Sequence, residues 1–501
     1  MSQPSPHTTE RPPIVAVLGH VDHGKSTLLD FIRKSNTVDR EHGGITQHVA
    51  AYEVEHEHEG KKKRITFIDT PGHAAFSAIR ARGASVADIA ILVVAADDGV
   101  KAQTLEALKS ILDAKTPYIV AINKIDKPNA NIERTQASLL EHGVYLETLG
   151  GDIPWAPISA KVGTGVKELL DLVLFVAEIE GFTGNPDVGA RGYVVEAHRD
   201  QKRGLAATLI ITDGTVKNGM TILAGRGIAP VRIMEDHMGN ALTEASFSTP
   251  ITLVGFDELP EVGASFTTFK NKREAEMGRP AAARAGATVR AEVAEDGSGP
   301  YLMPVILRAD VSGSLEAIAH ELATISDEHK RIDIVQTGIG TVSENDVKTA
   351  LAGTTPGVVL AFNVGVDPIA EALARERGIR IETFNIIYKL TERIQELLET
   401  SAPKRLMEEV VGRARVLKTF SSRKDEHVIG GKVLEGYLAR KAKVRVLRRD
   451  VSIGEGKIKN IQSNKEDVGR IEEGKEFGAQ IETDFELMHN DVLECVIQVM
   501  K

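Results

Sequence analysis

IVAVLGHVDHGKSTLLDFI, residues 14–32, joins an apolar run to a glycine loop and then to an amphipathic segment. Strand, glycine loop and helix in that order bind phosphates, and Gly19 to Ser26 fit the pattern G-x-x-x-x-G-K-[ST]. Gly19 and Gly24 let the backbone N–H groups of the loop His20-Val21-Asp22-His23 turn inward onto phosphate oxygens. Lys25 adds a point charge near the outer phosphates, and the Ser26 hydroxyl is a hard oxygen ligand for Mg2+. A helix predicted from Thr27 aims its positive end at the same place. A glycine-rich turn with an exposed lysine is the bland alternative, and the strand–loop–helix context disfavours it.

Outward from that loop, further apolar runs recur at 65–70, 89–97, 118–124 and 155–160, separated by amphipathic stretches such as LEALKSILDA. Near-continuous apolar runs read as buried parallel strands and the stretches between them as crossover helices. The pattern predicts a doubly wound α/β domain over 13–182, with ligands beyond the carboxyl ends of its strands. Three more motifs fall at strand ends. DTPGH (69–73) offers Asp69 to hold Mg2+ through a water, a Gly72 N–H for the terminal phosphate, and His73 to orient an attacking water. NKID (123–126) offers Asn123 to buttress the loop, the Lys124 stem to lie over a purine, and Asp126 to accept two adjacent N–H donors. Guanine has such a pair; adenine does not. SAK (159–161) places Ser159, Ala160 and Lys161 beside the base, with the Ala160 N–H aimed at the guanine oxygen. Neither NKID nor SAK is specific alone, but in this order after a phosphate loop they point to GTP.

GHVDHGK with DTPGH resembles the translational GTPases. GGITQHVAAY (43–52), TPGHAAFSAIRARGA, NKIDKP and SAKVGTGVKELL are closer still to bacterial-type translation initiation factor 2, from about Arg11 to the C-terminus. That resemblance implies a ribosome-dependent GTPase that promotes binding of initiator formylmethionyl-tRNA to the small subunit and then subunit joining. It implies a cytoplasmic monomer, with the ribosome, initiator tRNA and other initiation factors as partners and no membrane. It makes Thr46 a switch residue that joins Ser26 and Asp69 at Mg2+ when GTP is bound. Val21 and Ile45 become an apolar gate beside His73, and Asp22 helps hold a monovalent cation. By the same resemblance the chain is a short form that lacks the long N-terminal extension of many members.

The rest of the chain agrees in class. Residues 1–12 read as a disordered tail. Short strands with DG and NG turns predict a β-barrel over 187–268. An Ala/Arg/Gly-rich linker or exposed helix follows at 269–300, then a second α/β domain at 301–386, a connecting helix at 387–405 and a C-terminal β-barrel at 408–501. The expected fold is thus multidomain α/β plus β. DVSGSLEAI and GIGTVSE in the second α/β domain lack a phosphate-loop lysine, and Ser343 with Asp346 reads as a helix capping pair. RKAKVRVLRRD (440–450) predicts a strand with one cationic face, suited to an RNA backbone or to a solvated surface. The resemblance assigns this barrel the acceptor end of initiator tRNA, but the family pattern changes here. Gly430-Gly431 stands for Gly-Cys, Glu476-Phe477-Gly478 for Glu-Cys-Gly, and Gln462-Ser463 for Lys-Arg. Gly431, Arg448, Lys465 and Phe477 are therefore the candidate tRNA-end contacts.

EVEHEHEG (53–60) puts His56 and His58 on one strand face, and a solvated hairpin ending in KKKR is the reading favoured over a metal site. With 501 residues, one cysteine (Cys495) and a net charge of −10, an intrachain disulfide and a uniformly basic coat are excluded. The remaining functional alternatives are a tRNA-delivery elongation factor, a small-molecule P-loop kinase and a nucleotide-binding scaffold. The α/β third domain argues against the first, NKID and SAK against the second, and an intact DTPGH against the third.

Overall fold

The computed structural model describes residues 8–33, 49–200, 202–280, 300–327, 329–353, 355–401, 406–423, 425–449, 451–463 and 466–500. Ile45, Thr46 and Lys465 lie outside the described residues. The chain forms two compact units, 1–400 and 401–501.

The first sheet is built from β1 (Ile14–Gly19), β2 (Ala50–His58), β3 (Lys61–Asp69), β4 (Ile89–Ala95), β5 (Tyr118–Asn123) and β6 (Trp155–Pro157), in spatial order β2-β3-β1-β4-β5-β6. All pairs are parallel except β2 with β3, a hairpin. Every residue of β1 and of β4 is buried, as expected of strands covered on both faces. The covering helices are α1 (Lys25–Arg33), α2 (Ser77–Val86), α3 (Ala102–Ala114), α4 (Ile132–Glu141) and α5 (Val166–Glu180). Helix α1 starts two residues before the position read from sequence, because the Leu28 N–H already bonds the Gly24 carbonyl at 2.9 Å. The β2 histidines are not solvated. Alternation puts both toward α5, where His56 and His58 bond Asp171 Oδ1 at 3.0 and 2.9 Å.

Next come β7 (Arg191–Asp200), β8 (Gly204–Asp213), β9 (Thr221–Ala224), β10 (Gly227–Pro230), β11 (Ile233–Glu235), β12 (Pro250–Phe256) and β13 (Ser265–Phe269). Their antiparallel order is β10-β9-β13-β7-β8-β12-β11. The sheet curls around one core that includes Leu209, Ile222 and Phe266, and the Asp257 N–H just beyond β12 bonds Ile228 on β10. Helix α6 (Lys272–Gly278) opens the stretch read as a linker, with Asn271 capping it through the Glu274 N–H.

The third sheet is parallel throughout: β14 (Tyr301–Ala309), β15 (Lys330–Ile339), β16 (Val358–Phe362) and β17 (Arg380–Phe384), ordered β15-β14-β16-β17. Helices α7 (Ser312–Ile325), α8 (Glu344–Leu351), α9 (Pro368–Arg377) and α10 (Ile387–Ser401) belong to it. Ser343 and Asp346 form the capping box of α8. Helix α10, read as a connector, buries Ile387, Leu390, Ile394, Leu397 and Leu398 in a core shared with Leu307, Leu360 and Phe362 of the sheet. Ala75, Phe76 and Ile79, which follow DTPGH, lie in that same core. The third domain is therefore packed directly onto the segment that carries His73.

The second unit comprises β18 (Leu406–Arg423), β19 (Glu426–Ala439), β20 (Lys443–Arg448), β21 (Val451–Ser463), β22 (Arg470–Glu472), β23 (Glu476–Glu482) and β24 (Val492–Met500). The path β18-β24-β20-β21-β23-β19 returns on itself through a β18–β19 pairing, which closes a barrel. Among the described residues no helix is long and apolar enough to cross a membrane.

Candidate functional site

The four strand-end motifs meet at one edge of the first sheet. Gly19 ends β1 at φ 148°, and a Cβ there would stand 2.4 Å from the Val93 carbonyl oxygen of β4. Gly24 has φ 87°, and its Cβ would stand 2.4 Å from Asn123 Nδ2. Both positions need glycine for conformation and for room. Between them Asp22 is also left-handed, at φ 63°. The loop is tied down from outside: the Val21 N–H bonds Gln103 Oε1 of α3 at 3.0 Å.

His23 and Lys25 turn inward. His23 is 1% exposed, with the Ala95 N–H donating to its Nδ1 at 3.3 Å and Asp98 3.6 Å from its Nε2. Burial lowers its pKa to about 4, so the ring is neutral and wedges the loop from beneath instead of facing a ligand. The backbone of His23, not its side chain, belongs to the site. Lys25 donates from Nζ to the His20 carbonyl at 2.7 Å. Burial lowers this ammonium to about 8, against the pull of nearby Asp69. Phosphate beside it would raise it again. Nucleotide binding at pH 8.5 is expected to take up a substantial fraction of a proton per site, and much less at pH 7. Titration calorimetry in two buffers of different ionisation enthalpy checks this; identical heats at pH 8.5 contradict it.

Asp69 ends β3, paired in register with Val17 of β1. Gly72 comes so close to Lys25 that an added Cβ would stand 2.3 Å from Nζ and 3.3 Å from Val21 Cγ2. The phosphate loop and DTPGH therefore touch through Lys25, Val21 and Gly72. His73 caps the short 3-10 turn Ala74–Phe76, with its Nδ1 accepting the Ala75 N–H at 3.0 Å. An accepting Nδ1 leaves the ring proton on Nε2. Burial and nearby Arg80 lower the His73 pKa, which keeps this neutral form. Arg80 is fully buried, bonds the His73 and Pro71 carbonyls and pairs with Glu106 of α3.

Asn123 locks the base-side motifs to the loop. Its Nδ2 donates to the His23 carbonyl at 2.8 Å, and its Oδ1 accepts the Ala160 N–H at 2.9 Å. That second bond gives the Ala160 N–H a partner inside the fold that the sequence reading did not name. Lys124 is left-handed at φ 65°, and exposed Asp126 accepts the Ser159 hydroxyl at 2.6 Å. This hydrogen bond holds the Asp126 carboxyl below its ordinary pKa, so it is an anionic acceptor at neutral pH. Ser26 is half-buried at the start of α1, while Thr27 and Lys161 are exposed.

In the second unit the tRNA-end candidates fall differently. Gly431 and Phe477 are register partners across β19 and β23, and the Phe477 ring lies 2.7 Å from where a Gly431 Cβ would be. Phe477 is 5% exposed and belongs to the barrel core, so neither residue presents a side chain outward. Arg448 makes two bonds, 2.9 and 2.8 Å, to buried Asp491. The cationic face read on β20 is largely neutralised, since Lys443 pairs with Glu408 and Glu455 while Arg445 lies 3.7 Å from Glu408.

Gln103, Arg80, Glu106 and Tyr388 went unread in the sequence. Gln103 and Tyr388 act on partners far along the chain, and Arg80 and Glu106 on each other across 26 positions, so no local pattern marks them; the buried Arg80 lies inside the quoted TPGHAAFSAIRARGA without any sign of its role.

Residues 10–178 match the model of the elongation factor Tu GTP binding domain, 189–269 that of elongation factor G domain 2, and 283–395 that of translation-initiation factor 2. Translation initiation factor IF-2 of Rubrobacter xylanophilus is 41% identical over 496 residues, covering 97% of this chain and 71% of that protein. The factor of the same name from Pelotomaculum thermopropionicum is 40% identical over 499 residues, covering 97% of this chain and 50% of that protein. Among solved structures, GDP-bound aIF5B from Aeropyrum pernix matches with a TM-score of 0.49 and 27% identity, covering 97% of this chain and 92% of that one.

Proposed function

This chain belongs to the translation initiation factor IF-2 family, a family of translational GTPases, and from that membership we propose that it is a ribosome-dependent switch that loads initiator tRNA and times subunit joining. GTP lies along the carboxyl edge of the first sheet. Its phosphates meet the backbone of Gly19 to Ser26 and the Lys25 ammonium; Asp126, oriented by Ser159, accepts the two guanine N–H donors. The observation that carries the reading is Asn123, whose one carboxamide ties the phosphate loop to the SAK loop. That bridge sets phosphate and base subsites at a fixed spacing.

Ser26 and Asp69 carry hydroxyl and carboxylate oxygens, hard donors that fit Mg2+; they would hold the ion together with Thr46, and it would offset negative charge on the phosphates. A monovalent cation near Asp22 is the finer part of the same reading. Gly72 reports the terminal phosphate because its backbone already borders Lys25. His73 orients water with its Nε2–H, and Val21 with Ile45 screens it until the ribosome engages. Loss of the terminal phosphate frees Gly72 and the segment around Thr46, and the factor leaves. This activity belongs in the cytoplasm, with the small subunit, the large subunit and other initiation factors as partners.

Filter binding of the full chain to formylated initiator, unformylated initiator and elongator tRNA tests the initiation reading. Preference for the formylated initiator supports it. Equal, weak binding of all three overturns it and favours another translational GTPase. The second α/β domain, which follows the curled sheet, already weighs against a delivery factor built only of barrels after its GTPase domain.

A further inference from the structure

His73 is held at four points, one of them an edge-to-face contact with Phe76 of its own segment, centroids 6.3 Å apart. Its Nδ1 accepts the Ala75 N–H, its carbonyl accepts Arg80, and its ring meets Tyr388 edge-to-face, with centroids 4.4 Å apart and planes at 80°. The first two partners come from the segment that carries His73. Tyr388 comes from the first turn of α10, in the third domain. Its neighbours Ile387 and Leu390 are fully packed in the core shared by α10, the third sheet, Ala75, Phe76 and Ile79. Tyr388 therefore moves when that core moves. It also reaches the phosphate loop electrostatically: burial, the Asp22 carboxylate and Glu321 push its hydroxyl above the ordinary tyrosine value. The ring stays neutral and is 38% exposed.

We propose that Tyr388 is a positioning residue that keeps His73 in a resting orientation, so that hydrolysis waits on a shift of α10 against the DTPGH segment. This rests on the reading that His73 orients the attacking water. Of these restraints, only the Tyr388 contact links His73 to another domain, so only it converts movement of that domain into release of the ring.

The test is single-turnover GTP hydrolysis by the full chain without ribosomes, alongside GTP titration and the NMR shift of the His73 Cε1 proton. Tyr388→Ala is expected to raise the hydrolysis rate roughly 2- to 10-fold, the range an aromatic pair can hold back, with GTP affinity unchanged. The Cε1 proton loses the Tyr388 part of its ring-current shift in this variant and keeps the part from Phe76. Tyr388→Phe keeps both the wild-type rate and the shift, because the ring and not the hydroxyl makes the contact. The gain disappears in Tyr388→Ala combined with His73→Ala. Tyr388→Leu, which retains more of the packing, carries the same expectation should alanine destabilise α10. A His73 resonance that moves without any rise in rate, or a rise that survives loss of His73, overturns the proposal. In the first case, His73→Ala still inactive in ribosome-stimulated turnover leaves the water-orienting reading standing. Normal stimulated turnover of His73→Ala removes that reading and the proposal together.

Discussion

Asp126→Asn is expected to lose GTP affinity by about a hundredfold or more and to prefer xanthosine triphosphate, since a site built to pair polar groups strongly rejects a mismatched analogue. The geometry sets the direction. Ser159 donates its hydroxyl to Asp126 Oδ1 at 2.6 Å and so fixes how the carboxylate faces the base edge. Two acceptor oxygens suit the two N–H donors of guanine. In the asparagine variant one acceptor becomes an N–H donor and faces the guanine 2-amino group, donor against donor. Xanthine carries a carbonyl oxygen at that position and restores the match. Asn123 and Lys25 are untouched, so phosphate binding persists and the effect is confined to the base. Direct titration with fluorescent GTP and its xanthine analogue checks this; an unaltered preference for GTP removes Asp126 from base recognition.

The parts of this molecule visible in its sequence are those whose cause is local. Ile89–Ala95 reads as a buried strand because all seven positions are apolar, and all seven are buried. Gly19 and Gly24 announce a tight loop because no other residue accepts both the conformation and the crowding there. Ser343 and Asp346 cap a helix across three positions of sequence. What sequence does not display is set by pairing across the fold. The basic residues of β20 alternate with buried valines as read, yet Glu408 and Glu455 arrive from other strands to neutralise Lys443. His56 and His58 share a face as read, but Asp171 of α5 turns that face inward. The Ala160 N–H bonds Asn123, a partner no local pattern shows, because the reach of that carboxamide depends on how β5 meets the loop after β6. Phe477 fills the space over Gly431, a pairing that two positions 46 residues apart reveal only in the fold.

His73→Ala is expected to bind GTP as the wild type does and to lose ribosome-stimulated turnover by about 10²- to 10⁴-fold, the range for a positioned proton-handling side chain. Its hydrogen bonds and ring contacts are to Ala75, Arg80, Phe76 and Tyr388, none of them in the phosphate loop or the base motifs, so affinity has no reason to change. Its charge state supports orientation over strong base chemistry: Nδ1 is occupied as an acceptor, and burial and Arg80 both disfavour protonation. A neutral ring offers only its Nε2–H. The pH dependence follows with a definite sign. Because the folded pKa lies below the ordinary histidine value, the neutral form persists as pH falls through that value. Only at lower pH does a proton reach Nδ1, break the bond from the Ala75 N–H and switch turnover off. The acid limb of stimulated hydrolysis is therefore expected below pH 6.5, not at it. His73→Gln separates orientation from titration, since a carboxamide can position water, as glutamine does in other GTPases. It is expected to retain part of the turnover and to lose the histidine-dependent acid limb. Stimulated turnover measured across pH for all three proteins decides the matter. A glutamine variant as inactive as alanine would make titration essential to His73, and an alanine variant as fast as wild type would move the water-orienting role to another residue.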